Sequence, residues 1–356
     1  MPLRKPVKMA GVTISTAENL LVRIEAHDGT VGWGEAASAP TMTGDTLSGL
    51  VAAVSDHLAP ALQGQDARML SALNERMSAA LYGNTGAKAA VDMALLDLTG
   101  RARGVSLSIL LCGARRKGVQ PMCLIGNAAV EQDVAEARER RAEGYTFFKL
   151  KVGSKALADD IAATHAMRDA LGPDVTLCAD ANQGFSADNA RRYLDSVREA
   201  GLLFLEQPIA GEDVAGMAAL ARGTSIPLCA DEGIHGIADL ETHAREGAAT
   251  GASLKFIKLG GVSALMRAAA VCEARGLAVN VTGKVAESGI ASAAVVHTGC
   301  VVPDAAWGVS VTDIYLQADI VRQPLKLTSD GTIMAPAGPG LGVDVDESAV
   351  SRLRVR

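Results

Sequence analysis

Three acidic residues at nearly equal spacing are the first candidates for chemistry in this chain. Asp180, Glu206 and Asp231 each end a short apolar run, and they are separated by 26 and 25 residues. That interval fits one strand followed by one helix, so the three runs are predicted to be neighbouring strands of a parallel sheet. Ligands bind at the carboxyl ends of such strands. Three carboxylates gathered there would repel one another, and we therefore predict a divalent metal ion between them.

Lysines are predicted on the strands that flank these acids. Alternate side chains of the run Phe147–Val152 share one face, so Lys149 and Lys151 should point together into the interior. Two adjacent ammonium groups lower each other's pKa, which a lysine needs if it is to act as a base near neutral pH. Lys255 follows Asp231 by 24 residues, one further unit along the chain. The alternative is an edge strand with two solvated lysines.

Lysines on the second and sixth strands, with acids on the third, fourth and fifth, would place a basic group on each side of a metal-bound substrate. Asn182 has the same parity as Asp180 and is a candidate to support the metal or a water bound to it. Glu232 should face away from the metal but could bond a neighbouring lysine. Lys258 has the opposite parity to Lys255, so we expect it to point outward or past the end of the strand.

Residues 121–324 have a repeating strand–helix pattern. The predicted strands are Met122–Gly126, Phe147–Val152, Thr176–Ala181, Leu202–Glu206, Pro227–Asp231, Leu254–Lys258, Ala278–Thr282 and Ala306–Ser310. Seven helical patterns fill the gaps, which predicts a (β/α)₈ barrel with an atypical last unit. An open doubly wound sheet is the alternative, but the GxGxxG turn of a dinucleotide-binding sheet is missing after the first strand.

The first 120 residues have a mixed α+β pattern. Leu20–Ala26 and Val31–Glu35 predict a β-hairpin, and helical patterns follow at residues 47–62, 67–81 and 87–103. The turn-rich residues 325–356 are predicted to return to this part of the chain. The predicted domains are therefore 1–120 together with 325–356, and 121–324.

Two N-terminal segments, Met9–Ser15 and Ala36–Asp45, are predicted loops that could close over a substrate. Within them Met9, Thr41 and Met42 are candidates to touch the substrate.

Composition excludes several classes of protein. A formal net charge of −6 argues against nucleic acid as a partner. The six cysteines are scattered and form no CxxC pair, which indicates a reducing compartment. No apolar run reaches the length of a membrane span, so we expect a cytoplasmic protein with no membrane partner.

Five short motifs in a fixed order resemble the enolase superfamily. They are KLK at Lys149–Lys151, DAN at Asp180–Asn182, EQP at Glu206–Pro208, ADE at Ala230–Glu232 and KFIKLGG at Lys255–Gly261. Four further segments resemble its muconate lactonizing enzyme (muconate cycloisomerase) subgroup, namely VGWGE at Val31–Glu35, AAVDMALLDLTGRARG at Ala89–Gly104, AESGIASAAVVH at Ala286–His297 and PGLGVDVDE at Pro339–Glu347. The resemblance covers nearly the whole chain.

The resemblance implies an α/β fold, a modified TIM barrel beneath an N-terminal α+β capping domain that the C-terminal tail completes. It also implies Mg²⁺, with Mn²⁺ as a substitute, held by Asp180, Glu206 and Asp231. Such a metal binds a substrate carboxylate and stabilises the enediolate formed when the α-proton leaves. The partners implied are a small carboxylate substrate and further copies of the chain in a homo-oligomer.

In the family pattern Lys151 and Lys255 are the acid–base groups on the two faces of the substrate, and Lys149 tunes Lys151. Glu287 resembles a glutamate that lies behind the site after the seventh strand. A histidine on the seventh strand, which marks the mandelate-racemase branch, does not occur in Asn280–Gly283.

The reaction that the resemblance suggests first is cycloisomerisation, although Arg4–Ser15 lacks the arginine–histidine pair associated with muconate binding. The alternatives are a racemase or epimerase of an amino-acid derivative (a dipeptide, an N-acylamino acid or a proline derivative) and a small-acid dehydratase. A dipeptide epimerase should have an acidic pair after the eighth strand, where only Asp313 occurs. A non-catalytic binding module is the distant alternative, and it predicts the loss of a metal ligand or a lysine.

Overall fold

The computed structural model describes residues 1–9, 12–126 and 128–355, without the side chain of Met9. Its first elements are two antiparallel pairs, β1 (Pro2–Met9) with β2 (Val12–Thr16) and β3 (Asn19–Glu25) with β4 (Val31–Ala37). The predicted hairpin is confirmed, and its register runs from Asn19 opposite Ala37 to Glu25 opposite Val31.

The predicted loop Met9–Ser15 is wrong for its described residues. Val12–Ser15 belong to strand β2, and Met9 is paired with Val12. The sequence Val-Thr-Ile-Ser-Thr is rich in β-branched residues, which favour a strand even where most of the side chains are exposed. Residues 10 and 11 lie outside the described ranges.

Helices pack on the second of these antiparallel pairs, β3 with β4. They are α1 (Leu47–Ala52), α2 (Ala59–Leu62), α3 (Leu70–Ala80), α4 (Thr85–Arg103) and α5 (Leu107–Leu110), with a π-helical turn at Ala53–Leu58 between the first two. Strand β4 lies directly on α4, because a Cβ atom at Gly34 would stand 1.9 Å from the carbonyl oxygen of Ala90. Only glycine permits this approach.

Eight parallel strands follow in chain order. After the short strand β5 (Gly118–Val119) they are β6 (Met122–Ile125), β7 (Phe147–Lys151), β8 (Thr176–Asp180), β9 (Leu205–Glu206), β10 (Leu228–Ala230), β11 (Gly251–Leu254), β12 (Ala278–Thr282) and β13 (Val309–Ser310). A parallel bridge between Pro121 and Val309 brings the last strand beside the first. The chain therefore forms the predicted modified TIM barrel.

The helices of the barrel alternate with these strands. They are α6 (Val130–Ala142), α7 (Leu157–Leu171), α8 (Ala187–Ser196), α9 (Val214–Gly223), α10 (Ile237–Glu246), α11 (Phe256–Leu259), α12 (Val262–Arg275) and α13 (Gly289–Val301), with 3₁₀ turns at Arg198–Ala200 and Asp313–Tyr315. No helix within the described ranges is long and apolar enough to cross a membrane.

The sixth strand lies earlier than predicted. We expected Leu254–Lys258, but β11 ends at Leu254 and Phe256 begins the short helix α11. The buried Ile257 belongs to an apolar cluster that includes the α4 residue Ala90. The apolar residues that imitate a strand in the sequence therefore pack against the N-terminal helices.

The C-terminal tail packs on the N-terminal part of the chain. Strand β14 (Ile333–Met334) pairs with β5, and α14 (Glu347–Leu353) closes the chain. The buried carboxylate of Asp97 in α4 accepts hydrogen bonds from the backbone N–H of Trp33 at 2.9 Å and of Leu341 at 2.7 Å. One α4 carboxylate therefore ties the tail to strand β4.

A cluster of buried, mostly apolar side chains, here called the hydrophobic plug, fills the barrel beneath the charged side chains of the site. The rings of Phe204 and Trp307 stack there with centroids 4.5 Å apart. For four of the six plug residues, the residue two positions further along the chain is charged and lies on the same face, because alternate side chains of a strand share a face. The plug residues are Met122, Phe147, Cys178, Phe204, Cys229 and Trp307.

Candidate active site

Three carboxylates and four lysines meet above the hydrophobic plug. Two residues beyond Phe147, Cys178, Phe204 and Cys229, the strands carry Lys149, Asp180, Glu206 and Asp231 respectively. All of these side chains are buried. The acids predicted to converge from the spacing of the sequence therefore lie at the carboxyl ends of the adjacent strands β8, β9 and β10, with Asp231 directly after β10.

Each carboxylate is paired with at least one ammonium group. Lys149 donates to Glu206, and Lys151 donates to Asp180 at 2.6 Å and to the side-chain oxygen of Asn182. A buried ion pair of this kind is costly to break, because the partner left behind is a buried unpaired charge.

Asp231 is held by two lysines. Lys255 donates to Oδ2, and Lys258 donates to Oδ1 at 2.6 Å and to the backbone oxygen of Ser253 at 3.1 Å. The expectation that Lys258 points outward is wrong, since its side chain is fully buried. Strand β11 ends at Leu254, so the alternation rule does not extend to Lys258.

The supporting residues have distinct contacts. Asn182 has a positive φ of 41°, and its backbone N–H donates to Asp180 at 2.9 Å, while its side-chain amide donates to Glu232 at 2.8 Å. Glu287 accepts the backbone N–H of Lys284 at 3.0 Å. These contacts fix the ends of strands β8 and β12 around the lysines.

The charges in the site shift several pKa values. Burial opposes the charged form of Lys149, but the negative charges of Glu206 and Asp180 outweigh it and raise the pKa of Lys149. This differs from the expectation that its neighbouring lysine lowers it. Burial and the charge of Asp180 raise the pKa of Glu206. The pKa of Asp231 is lowered, because the charges of two lysines outweigh its burial.

Lysine pKa values also differ across the site. The charge of Asp231 outweighs burial and raises the pKa of Lys255, whereas burial lowers that of Lys258. Burial raises the pKa of Glu232 to about 7 and that of Glu287 to about 8. Strongly perturbed groups gathered in one place are typical of functional sites.

An inner chamber of about 50 Å³ lies over these side chains. Its lining includes Lys149, Lys151, Asp180, Glu206 and Lys255. The two lysines that the sequence places on opposite strands therefore share one chamber with two of the predicted metal ligands.

An outer cleft of about 560 Å³ lies between the N-terminal hairpins and the barrel. It is lined by Val12–Asn19, by residues 37–42 and, from the barrel, by Asn182, Gln183, Glu232, Lys284 and Val285. Thr41 lines this cleft, and Met42 lines both the cleft and the chamber.

The structure does not place the other two candidate substrate contacts, Met9 and Asp313, among the described residues that line the site. The side chain of Met9 lies outside the described part of the structure. Asp313 is buried beside helix α13, where its backbone N–H donates to Ser292 at 3.3 Å, and it is absent from the described linings of the chamber and the cleft. The 3₁₀ turn that follows strand β13 instead directs Tyr315 to the chamber.

The oxygen donors fit a hard divalent cation. Asp180, Glu206 and Asp231 offer only carboxylate oxygens, the ligands that Mg²⁺ prefers. In the described ranges no three His, Cys, Asp or Glu side chains form a ready-made metal cluster, because lysines engage each carboxylate. Burial raises the pKa of Glu206, and repulsion from Asp180 and Asp231 raises it further. A bound cation would remove that repulsion.

Sequence reasoning missed three polar contacts of the site. Ser253 donates to Glu206 at 2.8 Å, and the side-chain oxygen of Gln207 accepts the backbone N–H of Asp231 at 2.9 Å. Lys284 lines both cavities. Its place just after the predicted seventh strand was the signal that could have identified it.

Comparisons with known proteins agree with this architecture. The family model described as mandelate racemase / muconate lactonizing enzyme, N-terminal domain, matches residues 1–112, and the model described as enolase C-terminal domain-like matches residues 132–349. Together the two models match most of the chain.

Individual relatives match over almost their whole length. Muconate cycloisomerase 1 of Pseudomonas putida is 31% identical, covering 99% of this chain and 95% of the relative. L-Ala-D/L-Glu epimerase of Bacillus subtilis is 31% identical, covering 96% and 93% respectively. The structure of muconate lactonizing enzyme from Pseudomonas fluorescens complexed with muconolactone has a TM-score of 0.96 at 30% identity, covering 99% of this chain and 96% of that one.

These matches span both parts of the chain, and the named relatives are enzymes. The chain therefore belongs to the enolase superfamily, in its mandelate racemase/muconate lactonizing enzyme family, and is an enzyme of the muconate lactonizing enzyme subgroup.

Proposed function

We propose that this enzyme uses Mg²⁺ to remove and return the α-proton of a small carboxylate substrate, in a reaction of the muconate cycloisomerase type. One observation carries the proposal. Lys151 on β7 and Lys255 just after β11 line the same chamber as the carboxylates of Asp180 and Glu206. Strands β7 and β11 are four positions apart in the sheet of eight, so the two lysines approach a substrate from different sides.

Asp180, Glu206 and Asp231 would hold the metal, with Mn²⁺ as an alternative ion. When bound, a divalent cation would supply positive charge next to the substrate carboxylate and weaken the carboxylate charges that hold the lysines protonated. Asn182 and Glu232 would support this arrangement without contacting the metal. Asn182 accepts a hydrogen bond from Lys151, and Glu232 accepts one from Asn182.

The lysines would carry the proton. In an epimerisation one lysine takes the proton from the α-carbon and the other returns a proton to the opposite face. In a cycloisomerisation only one lysine exchanges a proton with the carbon next to the carboxylate, while the other stabilises charge across the chamber. Lys149 would tune Lys151, its neighbour on the same face of β7.

Two reaction classes fit these parts. Cycloisomerisation is preferred because muconate cycloisomerase 1 and the muconolactone complex match almost the whole chain. Epimerisation of an amino-acid derivative is the second candidate, because an epimerase matches at the same identity and two lysines line the chamber. Dehydration of a small acid would use the same groups. A non-catalytic binding module is disfavoured, because every proposed ligand and lysine is present.

A proton-exchange screen tests the proposal. The purified protein is incubated with Mg²⁺ in D₂O with muconates, N-acylamino acids, dipeptides and small hydroxy acids, and ¹H NMR follows the signal next to each carboxylate. We expect exchange or conversion of at least one class, abolished by EDTA and restored by Mg²⁺. Binding of a carboxylate without any exchange or conversion would overturn the proposal.

We propose a cytoplasmic homo-oligomer, with domain boundaries at residues 1–120 with 325–356 and at 121–324. The hydrogen bond from Leu341 to Asp97 supports assigning the tail to the N-terminal domain.

A further inference from the structure

Lys284 differs from the other lysines of the site, because its ammonium group forms no ion pair with any described carboxylate. The ammonium groups of Lys149, Lys151, Lys255 and Lys258 each bond a carboxylate. Within the described residues, the ammonium group of Lys284 takes part in no hydrogen bond and no ion pair, although its side chain is only 7% exposed. Burial lowers the pKa of Lys284 from 10.5 to about 8, and the nearby charge of Glu287 opposes this shift. Near neutral pH the side chain is therefore still mostly protonated, with a positive charge that no described ion pair uses.

The backbone of Lys284 is fixed on both sides. Its N–H donates to Glu287 at 3.0 Å, and its carbonyl oxygen accepts the hydroxyl of Thr312 at 2.8 Å. Lys284 follows strand β12, and it is held in place before any ligand arrives. Such pre-organisation reduces the entropy that is lost when a ligand binds.

The position of Lys284 joins the two cavities. It lines the inner chamber with Lys151 and Lys255, and it also lines the outer cleft. Among the described lining residues of the cleft, Lys284 is the one basic side chain. A substrate whose carboxylate lies among the metal ligands and whose other end extends into the cleft must pass this ammonium group.

The acidic side chains of the cleft are less suited to bind the far end of a substrate. Glu232 is already bonded to Asn182, and Glu18 is exposed at the rim. Asp313, which an ammonium-bearing substrate would need, is absent from the described lining of the cleft. Among the charged side chains described in the cleft lining, the ammonium group of Lys284 is therefore the one best placed to bind the far end of a substrate.

We propose that Lys284 binds a second anionic group of the substrate, a carboxylate located where the chamber opens into the outer cleft. The proposal rests on the proposed function, since it assumes that the first carboxylate lies among Asp180, Glu206 and Asp231. Lys284 then acts as a specificity residue, which selects dicarboxylates over monocarboxylates of the same size. Lys151 and Lys255 remain the groups that move the proton.

Matched ligand pairs test this assignment by equilibrium binding. Linear dicarboxylates of four to six carbons and their monomethyl esters are titrated by calorimetry into the Mg²⁺-loaded protein. We expect the wild type to bind at least one dicarboxylate about 10-fold or more tightly than its half-ester, as befits a charge-assisted hydrogen bond. A wild type without this preference would overturn the proposal before any variant is made.

Variants then identify the residue responsible. Lys284→Met should remove most of the preference by weakening dicarboxylate binding while changing half-ester binding less than about 3-fold, and Lys284→Arg should retain it. Lys88→Met, on α4 and outside both cavities, is the control and should bind like the wild type. A Lys284→Met protein that is folded by circular dichroism and keeps the full preference would contradict the proposal.

The binding assay also separates two kinds of failure. If dicarboxylates bind with the expected preference but no α-proton exchanges in D₂O, the proposed function fails and the assignment of Lys284 stands. If exchange occurs and the preference is absent, the assignment of Lys284 fails and the proposed function stands.

Discussion

Lys258 donates a hydrogen bond to Asp231 at 2.6 Å from the last residues of a short helix, not from a barrel strand. Its side chain is fully buried, and it also bonds the backbone oxygen of Ser253. Asp231 is thereby held between two lysines. The loop after β11 therefore contributes as directly to the proposed metal site as the strands do.

Replacing Lys258 should destabilise the protein. The change Lys258→Met leaves one oxygen of Asp231 without its ammonium partner in a buried position, and we expect the free energy of unfolding to fall by about 3 kcal/mol. Urea denaturation followed by circular dichroism measures it. Lys88→Met, which removes a half-buried lysine elsewhere, should cost less than about 1 kcal/mol. Equal losses for the two variants would show that the contact to Asp231 makes no additional contribution to stability.

The loss of Mg²⁺ affinity on mutation should depend on how directly each residue contacts the metal. Glu206→Gln removes a proposed ligand, and we expect Mg²⁺ affinity to fall by more than about 100-fold. Glu232→Gln removes only a group that bonds Asn182, and we expect a loss of about 10-fold. Isothermal titration calorimetry with Mg²⁺ measures both variants. Wild-type affinity in Glu206→Gln would exclude this carboxylate from the metal site.

The close contact between β4 and α4 should be sensitive to a single methyl group. A Cβ atom at position 34 would lie 1.9 Å from the Ala90 oxygen, so Gly34→Ala must move the strand away from the helix. We expect the free energy of unfolding to fall by about 2 kcal/mol. Gly223→Ala is the matched control, since a Cβ atom there meets nothing within 4 Å. Thermal melts of the two variants should diverge. A Gly34→Ala protein as stable as the control would contradict the observed packing.

Glu35 should make stability depend on pH. Its carboxylate is buried at the start of helix α13 and accepts the backbone N–H and the hydroxyl of Ser288. Burial raises its pKa from 4.5 to about 7, and the nearby charge of Asp319 adds to the shift. The raised pKa means that the folded state binds the proton more tightly than the unfolded state. The stabilising contribution is therefore complete below pH 4.5 and is lost as the pH rises through 7.

Comparison with a neutral variant isolates this contribution. Between pH 4.5 and 8 the free energy of unfolding of the wild type should fall, relative to that of Glu35→Gln, by on the order of 3 kcal/mol. The charge of Glu35 also helps to raise the pKa of the buried Glu287, so the difference between the two proteins includes the coupling of these two carboxylates. Glu75→Gln, on the exposed face of α3, serves as the control. Parallel pH profiles of the wild type and Glu35→Gln would contradict the prediction.

The sequence predicts most of the barrel because its physical signals are local. On β7 the alternation of apolar residues and lysines determines both the strand and its inward face. At Lys255 the predicted residue reaches the site, but the predicted element does not, because Phe256 and Ile257 are buried in a short helix. Periodicity shows that a side chain is buried but not which neighbour buries it.

Tertiary contacts explain the remaining differences. The place of Lys258 depends on where β11 ends, and the isolation of Lys284 depends on which carboxylates its neighbours already occupy. Asp313 follows the eighth strand as expected, yet the 3₁₀ turn directs it toward helix α13. None of these contacts leaves a pattern in the sequence, since each joins residues from separate elements.

Face-specific proton exchange tests the central claim most directly. Lys151→Ala and Lys255→Ala are incubated in D₂O with Mg²⁺ and each enantiomer of a carboxylate that the wild type exchanges, and ¹H NMR follows the α-proton. If both lysines transfer a proton, as in an epimerisation, each variant should lose at least about 100-fold of the exchange for one enantiomer while retaining exchange for the other. If only one lysine transfers a proton, as in a cycloisomerisation, one variant should lose that exchange and the other should retain it. Equal loss for both enantiomers in both variants, or exchange unchanged in both, would contradict the two-faced site.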